Sequence, residues 1–471
     1  MTPPSGPAQG AGSWPEEILN KELANPGLAL SVLNLHLYSY KWIHHRLHQV
    51  VFWDETTVRQ TFTVDFTIPT HVPTISVHGI KEVRLLPIDL LQKQNLVISD
   101  IHDQAGNLLS YFTRSQLGII ATTMLVKYAE GLLDEPLPHD VVQSLQELVT
   151  SYAEGIEEAK NNWHSKTFDG PEAQHAHDIK SRLISRPEFA FVCQRLTDSF
   201  ILLVPTEATP GSRLKISYCL DLPLKNYIKD PRTRWRRLFE QLGWRETSID
   251  FPLEAAADTQ SYDFEIEDPP GVDLYQAAII EHRAPQNEMP QSPILHDWQP
   301  GGVTKLNLHA RGVERSSVIV AHVDVEDSSE FWLRAFMITS FALALLLLMG
   351  AWRLPYLLDP QAQNTGINEV AAALLLFLAG VIATVVVISD PRGLLRKLLY
   401  RLRQLATVTP AIPIVAVAFL LFSPSGFVLR WTWFCLGLTA LLAGVLSTFS
   451  YLLPKPPQRP PKYRQKTEEV V

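Results

Sequence analysis

The chain has 471 residues and a formal net charge of −8, and its three cysteines, Cys193, Cys219 and Cys435, are far apart with no Cys-x-x-Cys spacing. That usage implies neither a disulfide framework nor a zinc ribbon. The charge is split, about +8 over residues 331–471 against −16 over the rest, so the N-terminal part lacks the basic stripe that displaces phosphate counterions, and nucleic acid is excluded as its partner.

Residues 1–15 are rich in Pro, Gly and Gln and are expected to be disordered. No basic stretch followed by an apolar one opens the chain, so no export signal is expected. Next comes Lys41-Trp-Ile-His-His-Arg-Leu-His48. On a helix His44 and His48 would share a face and could ligate a metal; a strand would separate them. No nearby Glu completes His-Glu-x-x-His, and solvated basic surface is the preferred reading.

Alternation of apolar and polar residues predicts strands over 57–68 and 95–101, with a hairpin through Asp103-Gln-Ala-Gly-Asn107 into 108–112. The period then lengthens. Segments 116–129, 140–160 and 171–184 read as helices, with Asp140 as a candidate cap. Residues 115–186 thus form a helical insertion in a β scaffold. Strands are predicted again at 189–193, 199–204, 213–220, 247–252, 262–267, 274–280, 303–309 and 317–325, and a short Arg-rich helix at 232–242. Such a pattern suggests a β-sandwich-like, β-rich (α+β) domain over residues 16–330.

Four stretches without a charged residue or histidine follow, at 335–352, 370–388, 405–422 and 431–453. Each has the length of a membrane-crossing helix, so a four-helix transmembrane bundle is expected. Pro410 and Pro413 should delay the start of the third. The connection between the second and third carries Arg392, Arg396, Lys397, Arg401 and Arg403, and the tail 454–471, expected to be disordered, carries five more basic residues. The other two connections hold only Arg353 and Arg430. Basic loops stay inside, which places both termini and the soluble domain in the cytoplasm of a multi-pass inner-membrane protein. Ala440, Gly444 and Thr448, spaced by four, form a small-residue stripe for helix packing.

Four His-Asp dipeptides occur, and the sharpest cluster is His175, His177 and Asp178 in the helical insertion. They are candidate metal ligands, weighed against solvated surface. No phosphate-binding glycine loop, dinucleotide fingerprint or Gly-x-Ser-x-Gly elbow is present, and no cofactor is implied.

Val64-Asp-Phe-Thr-Ile-Pro69 after an Arg-containing strand, and Tyr262-Asp-Phe-Glu-Ile-Glu-Asp-Pro-Pro-Gly-Val272 ahead of strands that run into the membrane segments, resemble uncharacterised bacterial, especially actinobacterial, membrane proteins. That resemblance implies a cytoplasmic β-rich domain on a four-helix anchor. It implies no activity and transfers no catalytic residue. The reading is therefore a non-enzymatic protein that binds or senses a ligand or protein partner, or self-associates, at the lipid bilayer. The alternatives are an effector whose helices open a pore, and a metal-dependent hydrolase at the His-Asp cluster.

Overall fold

The computed structural model describes residues 16–452 except 55, 78–80, 94–96, 110, 152–154, 169–172, 228–246, 268–271, 283–293, 301–304, 315–316, 328–329, 358–366, 389–403, 405–406 and 423–425, together with 464–465. The basic connection residues Arg392, Arg396, Lys397, Arg401 and Arg403 and the helix expected at 232–242 lie outside the described residues.

The N-terminal part is β-rich and built in layers. A six-stranded mixed sheet has the order β12 (Lys305–Arg311), β9 (Ser261–Glu267), β1 (Ile43–Phe52), β2 (Thr57–Thr67), β7 (Arg213–Pro223) and β5 (Val97–Asp103). Its β1–β9 pair is parallel. Facing it is a second sheet, with β11 (Ile294–Pro300), β10 (Val272–His282), β13 (Val318–Asp327) and β8 (Thr247–Pro252) in that order. Arg464–Gln465 of the tail add to it as a short β14, parallel to β11. A third sheet holds β3 (Thr74–Val77), β4 (Lys81–Gln92) and β6 (Ser199–Thr206).

The six-stranded sheet turns Phe62, Phe66, Tyr218 and Phe264 into a core shared with Phe251, Ile279 and Val323 of the second sheet and with Leu86 and Leu202 of the third. The third sheet's other face belongs to a different core. Ile75, Val83, Leu85, Ile201 and Leu203 pack there against helices. These are α1 (Glu16–Leu23), α2 (Pro26–Leu37), α3 (Arg114–Leu133), α4 (His139–Thr150), α5 (Ile156–Ser165), α6 (Ala173–Ile184) and α7 (Pro187–Asp198). Strand alternation explains the division: neighbours along β4 and β6 point to opposite faces.

Local chemistry sets several element ends. Thr113 caps α3 in a capping box, its side chain accepting from Gln116 N while Gln116 Oε1 accepts from Thr113 N. Asp140 does not cap α4, whose N-cap is Pro138; it lies in the first turn, where a carboxylate meets the positive end of the helix dipole. The turn between β6 and β7 places Gly211 at φ 84°, a conformation that side chains with a Cβ resist.

Three expectations change. Residues 140–160 are not one helix, since α4 ends at Thr150 and α5 begins at Ile156. Residues 189–193 are not a strand but part of α7, because Phe189, Val192, Cys193 and Leu196 make a buried helical stripe behind Pro187 at the first turn. Among the described residues of 108–112 there is no strand, and Leu108 makes an isolated bridge to His102.

The C-terminal part is helical: α8 (Glu330–Leu357), α9 (Ile367–Ile388), α10 (Ala411–Phe422) and α11 (Gly426–Leu452). Residues Leu347, Leu375, Ala416 and Trp433, one from each helix, belong to a single apolar cluster. Two segments, Arg334–Arg353 and Gly426–Phe449, are long and apolar enough to cross a membrane, with mean hydropathies of 2.1 and 1.7. The other two helices contribute shorter apolar stretches, Ala372–Ile382 and Ala411–Leu420. The third begins at Ala411 after a turn at Thr409 and Pro410.

Candidate functional site

A charged pair lies inside the sandwich core. Arg46 and Asp89 are 1% and 7% exposed and are joined through Nη1 and Oδ2. Arg46 stands on β1 in the same alternation as Val50 and Phe52, so the pleat turns it inward. Asp89 reaches the core through a bulge in β4 between Pro87 and Asp89. Proline cannot donate to a ladder and is tolerated at bulges. The bulge shifts the inward parity: Leu86 and Ile88 face the sandwich before it, Asp89 and Leu91 after it. Arg46 Nη2 donates to the Ile88 carbonyl at 2.8 Å.

An aromatic ladder surrounds the pair. His48, Phe62 and Tyr218 are register partners on three neighbouring strands. Their rings stack at 4.2 Å and 5.1 Å. Tyr218 donates its hydroxyl to Asp89, and His48 Nδ1 is hydrogen-bonded to Tyr262 Oη at 2.9 Å. Beside the pair is a cavity of about 70 Å³, lined by Gln60, Asp89, Gln92, Tyr227, Glu254 and Tyr262 among others. A water needs roughly 10–15 Å³ on this measure, so several fit. Neither Arg46 Nε nor His48 Nε2 closes a hydrogen bond among the described residues.

Electrostatics follow from burial. Burial alone would discharge Arg46, but the Asp89 carboxylate more than offsets it and its pKa is raised. Burial, with Arg46 nearby, holds the His48 imidazole down at about 3 against a smaller opposing pull from Gln60, so it is neutral. Burial also raises the hydroxyls of Tyr218, Tyr227 and Tyr262. At the rim, desolvation together with Asp89 and Asp198 raises the Glu254 carboxyl, while Gln92 donates to it. The centre is thus a fixed, mostly neutral set of donors and acceptors around one internal ion pair. In the helical layer, desolvation pushes the buried Cys193 thiol up to about 11, which disfavours its reactive thiolate form.

The other candidates lie apart from this centre. His175 and Asp178 are exposed on α6, and Asp178 is 3.7 Å from Arg182. His177 Nε2 accepts from Phe168 N at 3.1 Å, so its ring holds the loop before the helix. Among the described residues no group of three or more His, Cys, Asp or Glu is arranged to hold a metal. His44 and His48 are divided because the β1–β2 register shifts between Ile43 and His45; His44 turns outward to Thr67 at 2.8 Å. His102 meets Gly106 O while Asp103 accepts from Ala105 N and Asn107 N, which builds a turn. In α11, Ala440 is fully buried, a Cβ on Gly444 would meet Phe341 of α8 at 3.2 Å, and Thr448 Oγ1 donates to Gly444 O. Two closer approaches, Gly350 to Trp433 and Gly437 to Leu348, escape a reading of one helix at a time. No family model matches the chain, and no curated protein aligns with it significantly.

A second charge cluster sits on β13. His322 binds Asp250 through Nδ1 and lies 3.3 Å from Asp324 Oδ1 through Nε2, and Asp324 also accepts from Ser248 and Gln276. Burial would lower the imidazole, but hydrogen bonds to the two aspartates outweigh it and raise the pKa to about 9. A folded pKa above the unfolded one adds stability that is complete below about 6.5 and is lost as pH rises through about 9. The detergent-solubilised protein should therefore lose about 3 kcal/mol of unfolding free energy between pH 6 and pH 10 through this group. His322→Gln should lower stability at pH 6 and flatten the curve; an unchanged pH dependence in that variant would refute the assignment.

Proposed function

We propose that the chain is a multi-pass membrane protein whose β-rich domain binds a small polar ligand at the Arg46–Asp89 centre, without catalysis, and passes binding to a four-helix transmembrane bundle. The observation that carries this reading is continuity. Strand β13 ends at Asp327 and α8 begins at Glu330, and Phe336 of α8 and Ala443 of α11 belong to the same apolar cluster as the sandwich. A change in the packing of the sheets has a direct route into two helices through this shared cluster.

Placement in a bilayer is supported by the outward face of the helices. Only 33% of each long apolar window is covered by protein, and Phe377, Phe427 and Leu345 are 71%, 73% and 62% exposed. So much apolar surface needs a non-aqueous cover. The pairing of Arg464–Gln465 with β11 brings the tail back beside the domain that precedes α8, which supports an even number of crossings. Four crossings with both termini in the cytoplasm agree with the basic connection and tail.

Inside-out inner-membrane vesicles present cytoplasmic domains to the medium. A panel of small polar metabolites added to them should yield a ligand that slows hydrogen exchange in β2, β4 and β9 and also in residues 330–345. Gln60→Leu should remove both effects, and Phe336→Ala only the second. Protection confined to the sandwich would sink the coupling. Equal protection in right-side-out vesicles would sink the orientation. No protecting ligand, or protection that survives Gln60→Leu, would sink the binding site.

A further inference from the structure

A groove of about 660 Å³ opens between α8 and α11 at the ends farthest from the β-rich domain. That volume lies within the roughly 300–1,000 Å³ of ordinary ligand sites. It is walled by Trp352, Phe427, Trp431 and Phe434, with Leu348, Ala351 and Arg430 completing it. Small, buried Ala351 leaves room that a larger side chain would fill.

Depth identifies the surroundings. Arg334 and Arg353 bound the apolar window of α8, and at 1.5 Å per residue they stand roughly 28 Å apart, close to the ~30 Å of a bilayer's hydrocarbon. The groove therefore lies at the far boundary between acyl chains and headgroups. Trp352 and Trp431 are 68% and 54% exposed there, as interfacial tryptophans are. The two nearby cations differ. The Arg353 guanidinium lies over the Trp352 ring at 5.7 Å, whereas Arg430 lines the groove itself.

We propose that this groove is a binding site for an anionic phospholipid of the far leaflet, with its phosphate on Arg430 and an acyl chain against the aromatic walls. A guanidinium matches phosphate oxygens in a two-point contact. The aromatic lining suits a chain and gives a free phosphate nothing to bind. The site is separate from the basic connection and tail, which face the opposite leaflet in the proposed topology.

The proposal rests on the bilayer placement above, and the test separates the two. The full chain in nanodiscs of equal phosphatidylglycerol and phosphatidylcholine is released into a mass spectrometer, and the lipids retained are counted. One tightly held phosphatidylglycerol is expected, favoured about fivefold, the effect of one interfacial arginine. Arg430→Gln should lose that lipid; Arg353→Gln should keep it. Equal retention of the two lipids, or a preference that survives Arg430→Gln, overturns the site. Displacement by millimolar glycerol phosphate would assign it to soluble phosphates and equally overturn the lipid. Release of the chain from cell membranes by alkaline carbonate would instead overturn the bilayer placement itself.

Discussion

Asp89→Ala should destabilise the β-rich domain by about 3–5 kcal/mol, the penalty for leaving one member of a buried ion pair without its partner. Arg46 would keep its charge at 1% exposure, with the Ile88 carbonyl as its remaining acceptor. Tyr218 would lose its acceptor as well. Domains carry only ~5–15 kcal/mol in all, so this single change should lower the urea midpoint of the detergent-solubilised protein steeply or prevent accumulation. The informative control removes both charges. Arg46→Met with Asp89→Leu should recover much of the loss, because an apolar pair of similar volume often replaces a buried salt bridge at little cost. If Asp89→Ala shifts stability by less than about 1 kcal/mol, the pair is solvated in solution and the centre described here is not preorganised.

Gly350→Leu should separate α8 from α11. A Cβ at position 350 would come within 2.4 Å of the Trp433 ring, closer than real contacts allow. Trp433 has nowhere to retreat, since it is 2% exposed and its Nε1 donates to Ala416 O of α10 at 3.0 Å. One contact therefore ties three helices. Even Gly350→Ala should cost about 1–3 kcal/mol, typical of overpacking, while Gly444→Ala, whose Cβ would meet Phe341 at 3.2 Å, should be nearly tolerated. The thermal aggregation midpoint in mild detergent checks the order. Gly444→Ala proving worse than Gly350→Ala would show that the helices pack differently.

Much of the scaffold is legible in local pattern. The expected strand at 57–68 is β2, Thr57–Thr67, because its apolar positions alternate strictly and one face is buried. Alternation misleads at 189–193, where five residues fit both periods and the stripe extends only when Leu196 is included. The buried Arg46–Asp89 pair is harder to see. Asp89 sits in Leu85-Leu-Pro-Ile-Asp-Leu-Leu91; a carboxylate inside so apolar a run is a signal, since burying it demands a partner. Identifying that partner requires knowing that 43–52 is a strand and that Pro87 marks a bulge. Those are facts about register, which sequence period does not encode. Gly350 is silent for a similar reason: its constraint is Trp433, 83 positions away.

The third sheet gives its two faces to two different interiors. The helices of 114–198 are therefore a lid sealed by β3, β4 and β6, not a graft that rides on a finished sandwich. Excising them would uncover much of the apolar face formed by Ile75, Val83, Leu85, Ile201 and Leu203, leaving α1 and α2 to cover the rest, and exposed surface of that kind drives aggregation. It would also unseat Lys93, whose ammonium donates to Val149 O near the end of α4, four residues from Asp89. Helical layer and sandwich share this sheet, so a truncation that aims to isolate the Arg46–Asp89 pair must carry both.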